Sequence, residues 1–120
     1  MNAPSFDFQD RHLFVAGGSS GINFGIAQAF ARAGARVTVI SRSADKVAAA
    51  AQQLEALGTQ TLGVAADVRN PEAVQRAFEQ ACERFGPIDV LVSGAAGNFL
   101  ASALDMSPNA FKTVVDIDLL

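Results

Sequence analysis

The chain has 120 residues, half of them hydrophobic, which is enough for one domain with a sizeable core. Its net charge of −3, from 9 basic and 12 acidic residues in mixed order, leaves no basic stripe to follow a nucleic-acid backbone. One cysteine, Cys82, excludes an internal disulfide, and with one histidine it argues against a structural metal site and for a reducing compartment.

Residues 1 to 10, MNAPSFDFQD, have neither the basic nor the apolar region of a secretory leader, and no stretch is long enough for a membrane span. A cytoplasmic location without membrane contact is therefore expected, and Phe6 and Phe8 are expected to tuck against the first strand. That strand is predicted at His12 to Ala16, apolar and short. Helix one follows from Gly21 to about Ala33, with Ile22, Ile26, Ala29 and Phe30 at helical spacing, and Gly34 suits a left-handed C-cap. Between them lies Gly17-Gly18-Ser19-Ser20-Gly21. A strand that ends in glycines and opens a helix aims backbone N–H groups and the positive end of the helix dipole at one point, where anions settle. Glycine allows close approach of a pyrophosphate and supplies positive φ.

Strand two is predicted at Arg36 to Ser41, closed by the polar turn Arg42-Ser43. Ser43 or Asp45 can cap helix two, which runs to Leu57 with Val47, Ala50, Leu54 and Leu57 on one face and stops at Gly58. Strand three covers Gln60 to Ala66, and Asp67 to Pro71 turns into helix three with Asn70 as N-cap and Pro71 at N1. On that helix Val74, Phe78, Ala81, Cys82 and Phe85 share a face, and Gly86-Pro87 ends it before strand four, Ile88 to Ser93. Ser107-Pro108 is expected to start a fourth helix that runs to the last residue. No repeat or low-complexity segment appears.

Alternating strands and helices with short connections specify an α/β fold: a Rossmann-type, doubly wound parallel sheet in three α/β/α layers, with strand order 3-2-1-4. The crevice then lies between strands one and four, beyond their carboxyl ends. Arg42 follows strand two, where the adenosine ribose lies in this architecture and an acid would favour NAD. Ser41 and Arg42 offer a hydroxyl and a guanidinium instead, which suits the 2′-phosphate of NADP(H), with a solvated surface arginine as the bland reading. Asp67, at the end of strand three, reads either as a cofactor contact or as a helix-capping carboxylate.

The Gly17-x-x-x-Gly21 spacing, with Ser19 and Ser20 inside it, resembles the Thr-Gly-x-x-x-Gly-x-Gly turn of the short-chain dehydrogenase/reductase family. Ala16 replaces the Thr and Asn23 the third Gly, where an Asn is expected to tolerate a left-handed backbone, with Gly25 two residues on. Ala95-Ala96-Gly97-Asn98-Phe99-Leu100, followed by Leu104, Ser107, Asn109 to Thr113 and Asp116-Ile117-Asp118, resembles more closely the 2,4-dienoyl-CoA reductases of peroxisomal type. The resemblance implies that Gly17 to Ile22 (including Gly18 and Ile22), Ser41, Arg42, Ser43, Lys46, Asp67 and Val68 hold NADP, with Ala95, Ala96 and Gly97 as a backbone wall beside it. It further implies that Arg69, Phe99, Ser107, Pro108 and Asn109 line a fatty-acyl-CoA site and that Asp118 takes part in proton delivery. Plain core packing for Phe99, a solvated Arg69 and a surface Asp118 remain the alternatives.

The family's Tyr-x-x-x-Lys pair is not in the chain, which contains no tyrosine, and Lys46 and Lys112 lie on predicted helices two and four. A bare, apolar strand four at the sheet edge would invite aggregation. The chain is thus expected to be the NADP-binding N-terminal portion, residues 1–120, of a longer enzyme of fatty acid β-oxidation, inactive by itself and, by resemblance, part of a homotetramer. The alternatives are a short-chain dehydrogenase acting on a ketone or alcohol, and a non-catalytic dinucleotide-binding module. His12 and Cys82 receive no functional role.

Overall fold

The computed structural model describes residues 8–17, 21–93 and 111–116. Its elements in chain order are β1 (His12–Ala16), α1 (Gly21–Arg32), β2 (Arg36–Ser41), α2 (Ala44–Glu55), β3 (Thr61–Ala65), α3 (Pro71–Phe85), β4 (Ile88–Ser93) and β5 (Phe111–Asp116). The strands form one sheet of order β3-β2-β1-β4-β5, with every pairing parallel.

All five residues of β1 are buried, as a strand covered on both faces requires. Alternate residues serve opposite layers. Leu13 and Val15 join Val37 and Val39 of β2 against Ala27 and Ala31 of α1 and Val47, Ala50 and Leu54 of α2. Phe14, Ile40 and Leu91 face the other way, onto Val74, Ala77, Phe78 and Ala81 of α3. There the rings of Phe14 and Phe78 lie tilted with centroids 4.3 Å apart, at the centre of the α3 layer.

The caps follow the sequence. Ser43 Oγ accepts from the Lys46 N–H at 3.2 Å, so Ser43 rather than Asp45 caps α2, and Asn70 Oδ1 accepts from Glu72 and Ala73 at the start of α3. Gly34 has φ +97°, and a Cβ there would meet Gln9 Cγ at 2.8 Å, so the residue is required both for the turn and for the close passage of the lead-in segment.

Four local expectations differ from the structure. On α1 the buried pair is Ala27 and Ala31, with Ala29 exposed, because two helices share that side of the sheet and rotate the contact stripe. Phe8 has a partner beyond the expected strand: its ring stands 4.8 Å from that of Phe30 of α1, and its N–H donates to Ala33 O at 2.9 Å, while Phe6 lies outside the described residues. Asn23 is not left-handed; it is an α1 residue, and Asp10 alone among the described non-glycine residues has positive φ.

The fourth difference is larger. Residues 111–116, placed in a fourth helix by the Ser107-Pro108 signal, form β5 and register with β4 from Ile88↔Phe111 to Ser93↔Asp116. The run Phe-Lys-Thr-Val-Val-Asp is rich in β-branched residues, and β4 offers it a row of backbone donors and acceptors that a helix would leave unpaired. Strand four is therefore not a bare edge, which removes the aggregation argument made from it.

At the amino-terminal end of the sheet the single histidine is fully buried. The His12 Nδ1–H donates to Gly86 O at 3.0 Å, so the neutral ring presents Nε2 to accept from the Thr38 hydroxyl at 2.8 Å. Asp89 accepts the His12 backbone N–H at 3.0 Å, and the Phe85 ring stands edge-on at 5.3 Å. Burial pushes the imidazole below its ordinary value of 6.5, and Arg36 adds to this, while the Gly86 carbonyl and Asp89 oppose it.

Because the folded pKa is depressed, the unfolded chain binds the extra proton as pH falls below 6.5. Stability is expected to be fully present above that value and to decline below it. In urea titrations at a series of pH values, His12→Leu should flatten this decline; equal slopes for both proteins would assign the proton to another group.

Candidate dinucleotide-binding site

The carboxyl ends of β1, β2 and β3 open on a cleft of ≈ 360 Å³ lined by Gly17, Ser41, Arg42 and the run Ala66 to Arg69. Parallel pairing explains this convergence. The strands end level with one another, Ala16 opposite Ile40 and Ser41 opposite Ala65, so residues distant in sequence meet at one rim.

Gly17 continues the β1 edge by one residue, its N–H donating to Ile40 O at 2.9 Å, and then turns the chain with φ +75°. Gly21 has φ +69° as α1 opens, and nothing among the described residues lies within 4 Å of where its Cβ would be. Both positions occupy the left-handed region in which a side chain is strained. Asn23 braces the turn from within α1: its Nδ2 donates to Ala16 O at 3.1 Å, and a Cβ on Gly17 would sit 3.8 Å from the same nitrogen. A residue expected to mark a departure in the turn is thus a strut across it. The first turn of α1 carries no acid to oppose an anion.

Across the cleft, Asp67 and Arg69 form a clamp. Asp67 Oδ1 accepts from the Arg69 backbone N–H at 2.9 Å and Nε at 3.2 Å, and Oδ2 accepts from Nη2 at 3.0 Å. The Arg69 guanidinium holds the Asp67 carboxyl below its usual range, with a smaller contribution from Arg42, and is itself raised by the same pairing. Ala66 N–H donates to Ser41 O at 2.8 Å and ties the Asp67 turn to the end of β2.

The structure therefore brings together Gly17, Ser41, Arg42, Asp67, Val68 and Arg69 from the residues singled out in the sequence. Ser43 and Lys46 do not line the cleft; they meet each other in the α2 cap. Ile22 is in α1, and its side chain is outside the described residues, as are Gly18, Ser19, Ser20, Ala95, Ala96, Gly97, Phe99, Ser107, Pro108, Asn109 and Asp118. Asn23 was missed as a contributor, and the signal for it was its place two residues into α1, within side-chain reach of the preceding strand. Among the described residues no group of three or more His, Cys, Asp or Glu side chains is arranged to hold a metal, and no helix is long and apolar enough to cross a membrane.

The cleft lies beyond β1, β2 and β3, on the β2 side of the expected β1/β4 crevice, with no β4 residue in its lining. A glycine turn at a helix start, an arginine after β2 and a carboxylate after β3 in a doubly wound sheet define a dinucleotide-binding α/β protein of Rossmann type. The sequence matches the short chain dehydrogenase family over residues 11–120, and the chain belongs to that family. The peroxisomal 2,4-dienoyl-CoA reductase of Rattus norvegicus is 50% identical over 113 residues, which cover 93% of this chain and 39% of that protein. The Arabidopsis thaliana protein of the same name is 44% identical over 104 residues, covering 87% and 35%. Among solved structures, L-sorbose reductase from Gluconobacter frateurii, complexed with NADPH and L-sorbose, superposes with TM-score 0.70 at 36% identity over 73% of this chain and 34% of that one. A short-chain type dehydrogenase/reductase from Mycobacterium marinum gives 0.71 at 32% identity, covering 76% and 37%. The chain thus spans about two fifths of the length of these curated relatives.

Asn23→Ala removes the strut but no core volume, and a single side-chain hydrogen bond of this kind is worth about 0.5–1.5 kcal/mol. The variant is expected to unfold at slightly lower urea concentration and to bind adenine nucleotides more weakly. Unchanged nucleotide affinity would show that the turn keeps its shape without it.

Proposed function

We propose that the chain is the cofactor-binding, N-terminal portion of an NADPH-dependent reductase of 2,4-dienoyl-CoA. The observation that carries the cofactor preference is Arg42: it is exposed at the rim of the cleft directly after β2, and Ser41 beside it is a hydroxyl where an acid would select NAD. The residues present fit a phosphorylated dinucleotide, since the glycine turn would admit the pyrophosphate, Arg42 a ribose phosphate and the Asp67-Val68 segment the adenine. The identity of 50% with a reductase of this name, over 93% of the chain, supports the substrate class.

When bound, reduced nicotinamide supplies a hydride to the conjugated acyl chain, and a proton completes the reduction. Asp118 is assigned to proton delivery, and Phe99 with Ser107 to Asn109 to the acyl-CoA, by resemblance to the dienoyl reductases. Ala95 to Gly97 would run beside the cofactor. The chemistry belongs to the whole protein, a homotetramer in this proposal, with the 120-residue portion inactive alone. A cytoplasmic location is kept in the proposal, whereas the curated relatives are named as peroxisomal.

A second reading, a reductase of ketones or alcohols, draws on a 3-dehydrosphinganine reductase of Arabidopsis thaliana that is 37% identical over 111 residues. Loss of the reduced-nicotinamide absorbance, followed for the product of the whole reading frame with a 2,4-dienoyl-CoA, a 2-enoyl-CoA and a 3-ketoacyl-CoA, separates the two. Turnover of the dienoyl thioester is expected. Turnover of the ketone alone would move the assignment to the second reading, and cofactor binding without any turnover would leave a non-catalytic module.

Arg42→Gln is expected to weaken NADP⁺ by roughly ten-fold or more, from the loss of charge-assisted bonds, and to leave NAD⁺ nearly unchanged. Equal weakening of both would remove Arg42 from the 2′-phosphate.

A further inference from the structure

The amino-terminal end of the sheet, opposite the dinucleotide cleft, opens on a second cleft of ≈ 360 Å³ where β1, β2 and β4 begin. Two arginines and two aspartates line it. Arg11 Nη1 lies 3.7 Å from Asp89 Oδ1, and the other oxygen of that carboxylate accepts the His12 N–H at 3.0 Å, so Asp89 is already engaged. Arg36 has no such partner. Its backbone N–H donates to Arg11 O at 2.9 Å, which holds the two residues side by side at the strand ends. The half-buried Arg36 side chain makes one hydrogen bond, from Nη2 to Asp10 O at 3.2 Å, and no carboxylate among the described residues pairs with it. Nε is buried without an acceptor among the described residues. A buried donor left in this way is costly, and an oxyanion in the plane of the guanidinium fork removes the cost. Asp10 is also the one described non-glycine residue with positive φ, +65°, so the chain adopts an uncommon conformation where it brings a single neutral acceptor to this cation. Arg36 lines a neighbouring cleft of ≈ 330 Å³ as well and is open to approach from two sides.

Charge and surface decide the kind of ligand. Arg11 and Arg36 are balanced by Asp10 and Asp89, which suits a singly charged anion and opposes a doubly charged phosphate. Phe85 and Pro87 line the same cleft and offer apolar surface to a short hydrocarbon tail. We propose that this cleft is a second binding site that takes a small monocarboxylate with a short apolar tail, its carboxylate on the Arg36 guanidinium and its tail against Phe85 and Pro87. The site is independent of the cofactor reading, since the two clefts share no residue.

The probe is butyrate, with butyramide as its uncharged match and inorganic phosphate as the doubly charged alternative. Binding is measured by calorimetry at constant ionic strength on the product of the whole reading frame. Saturable binding of butyrate is expected, and none of butyramide. Arg36→Gln, with thermal unfolding as the control for folding, is expected to weaken butyrate about ten-fold through the loss of charge-assisted bonds, and Arg36→Lys to weaken it less. A second readout needs no variant. Burial and Arg36 depress the His12 imidazole while Asp89 opposes them, so an anion seated on Arg36 is expected to raise the His12 titration midpoint followed by imidazole proton resonances. Absence of saturable butyrate binding would overturn the proposal, as would equal binding of butyramide, tighter binding of phosphate, or an affinity unchanged in Arg36→Gln. Butyrate bound with the His12 midpoint unmoved would place the anion away from Arg36 and overturn it too.

Discussion

Every functional feature of this chain depends on the parallel pairing of β1 with β2 on one side and β4 on the other. Because neighbouring strands run the same way, each connection must cross the sheet, and helices cover both faces. β1 is then enclosed completely, and the residues that follow β1, β2 and β3 emerge at one rim. The cleft results from that constraint. No residue lining it is close in sequence to all the others, and no local hydrogen bond alone could assemble it.

Electrostatics then decide what such a rim can hold. At the helix end, α1 opens without an acid in its first turn, and Gly17 and Gly21 turn the backbone without side chains. Opposite, the carboxylate of Asp67 is covered by Arg69 through a backbone and two side-chain donors, which lowers its proton affinity and keeps it ionised. The charge is nevertheless of positive sign in sum, because Arg42 stands beside the pair. The opposite end of the sheet is built differently. There His12 is neutral, buried and satisfied by Gly86 and Thr38, and it joins β1 to β2 and to the turn before β4 as a structural element.

Family membership and geometry contribute different things. Membership in the short chain dehydrogenase family accounts for the topology, and the cleft residues account for a rim of net positive charge. They agree at Gly17, Arg42 and Asp67. Arg69 lines the same cleft, although the resemblance groups it with the substrate residues.

Much of the fold was legible in the sequence because the relevant signals are local. Ser43, Asn70-Pro71, Gly34 and Gly86 mark helix ends through capping and positive φ, effects confined to a few residues. The strand order followed from alternating elements and handed crossovers. Gly17 and Gly21 were legible as turn positions for the same reason, and Arg42 as a residue at the rim beyond β2 once the topology was known. Only tertiary structure decided the rest, through pairings between distant groups. Asn23 reaches back to Ala16, His12 is satisfied by Thr38 and Gly86, and residues 111–116 form a strand because β4 offers them a partner. A capping signal weighs the helix against solvent alone; the unpaired backbone of a neighbouring strand outweighs it, and that neighbour does not appear in any local stretch of sequence.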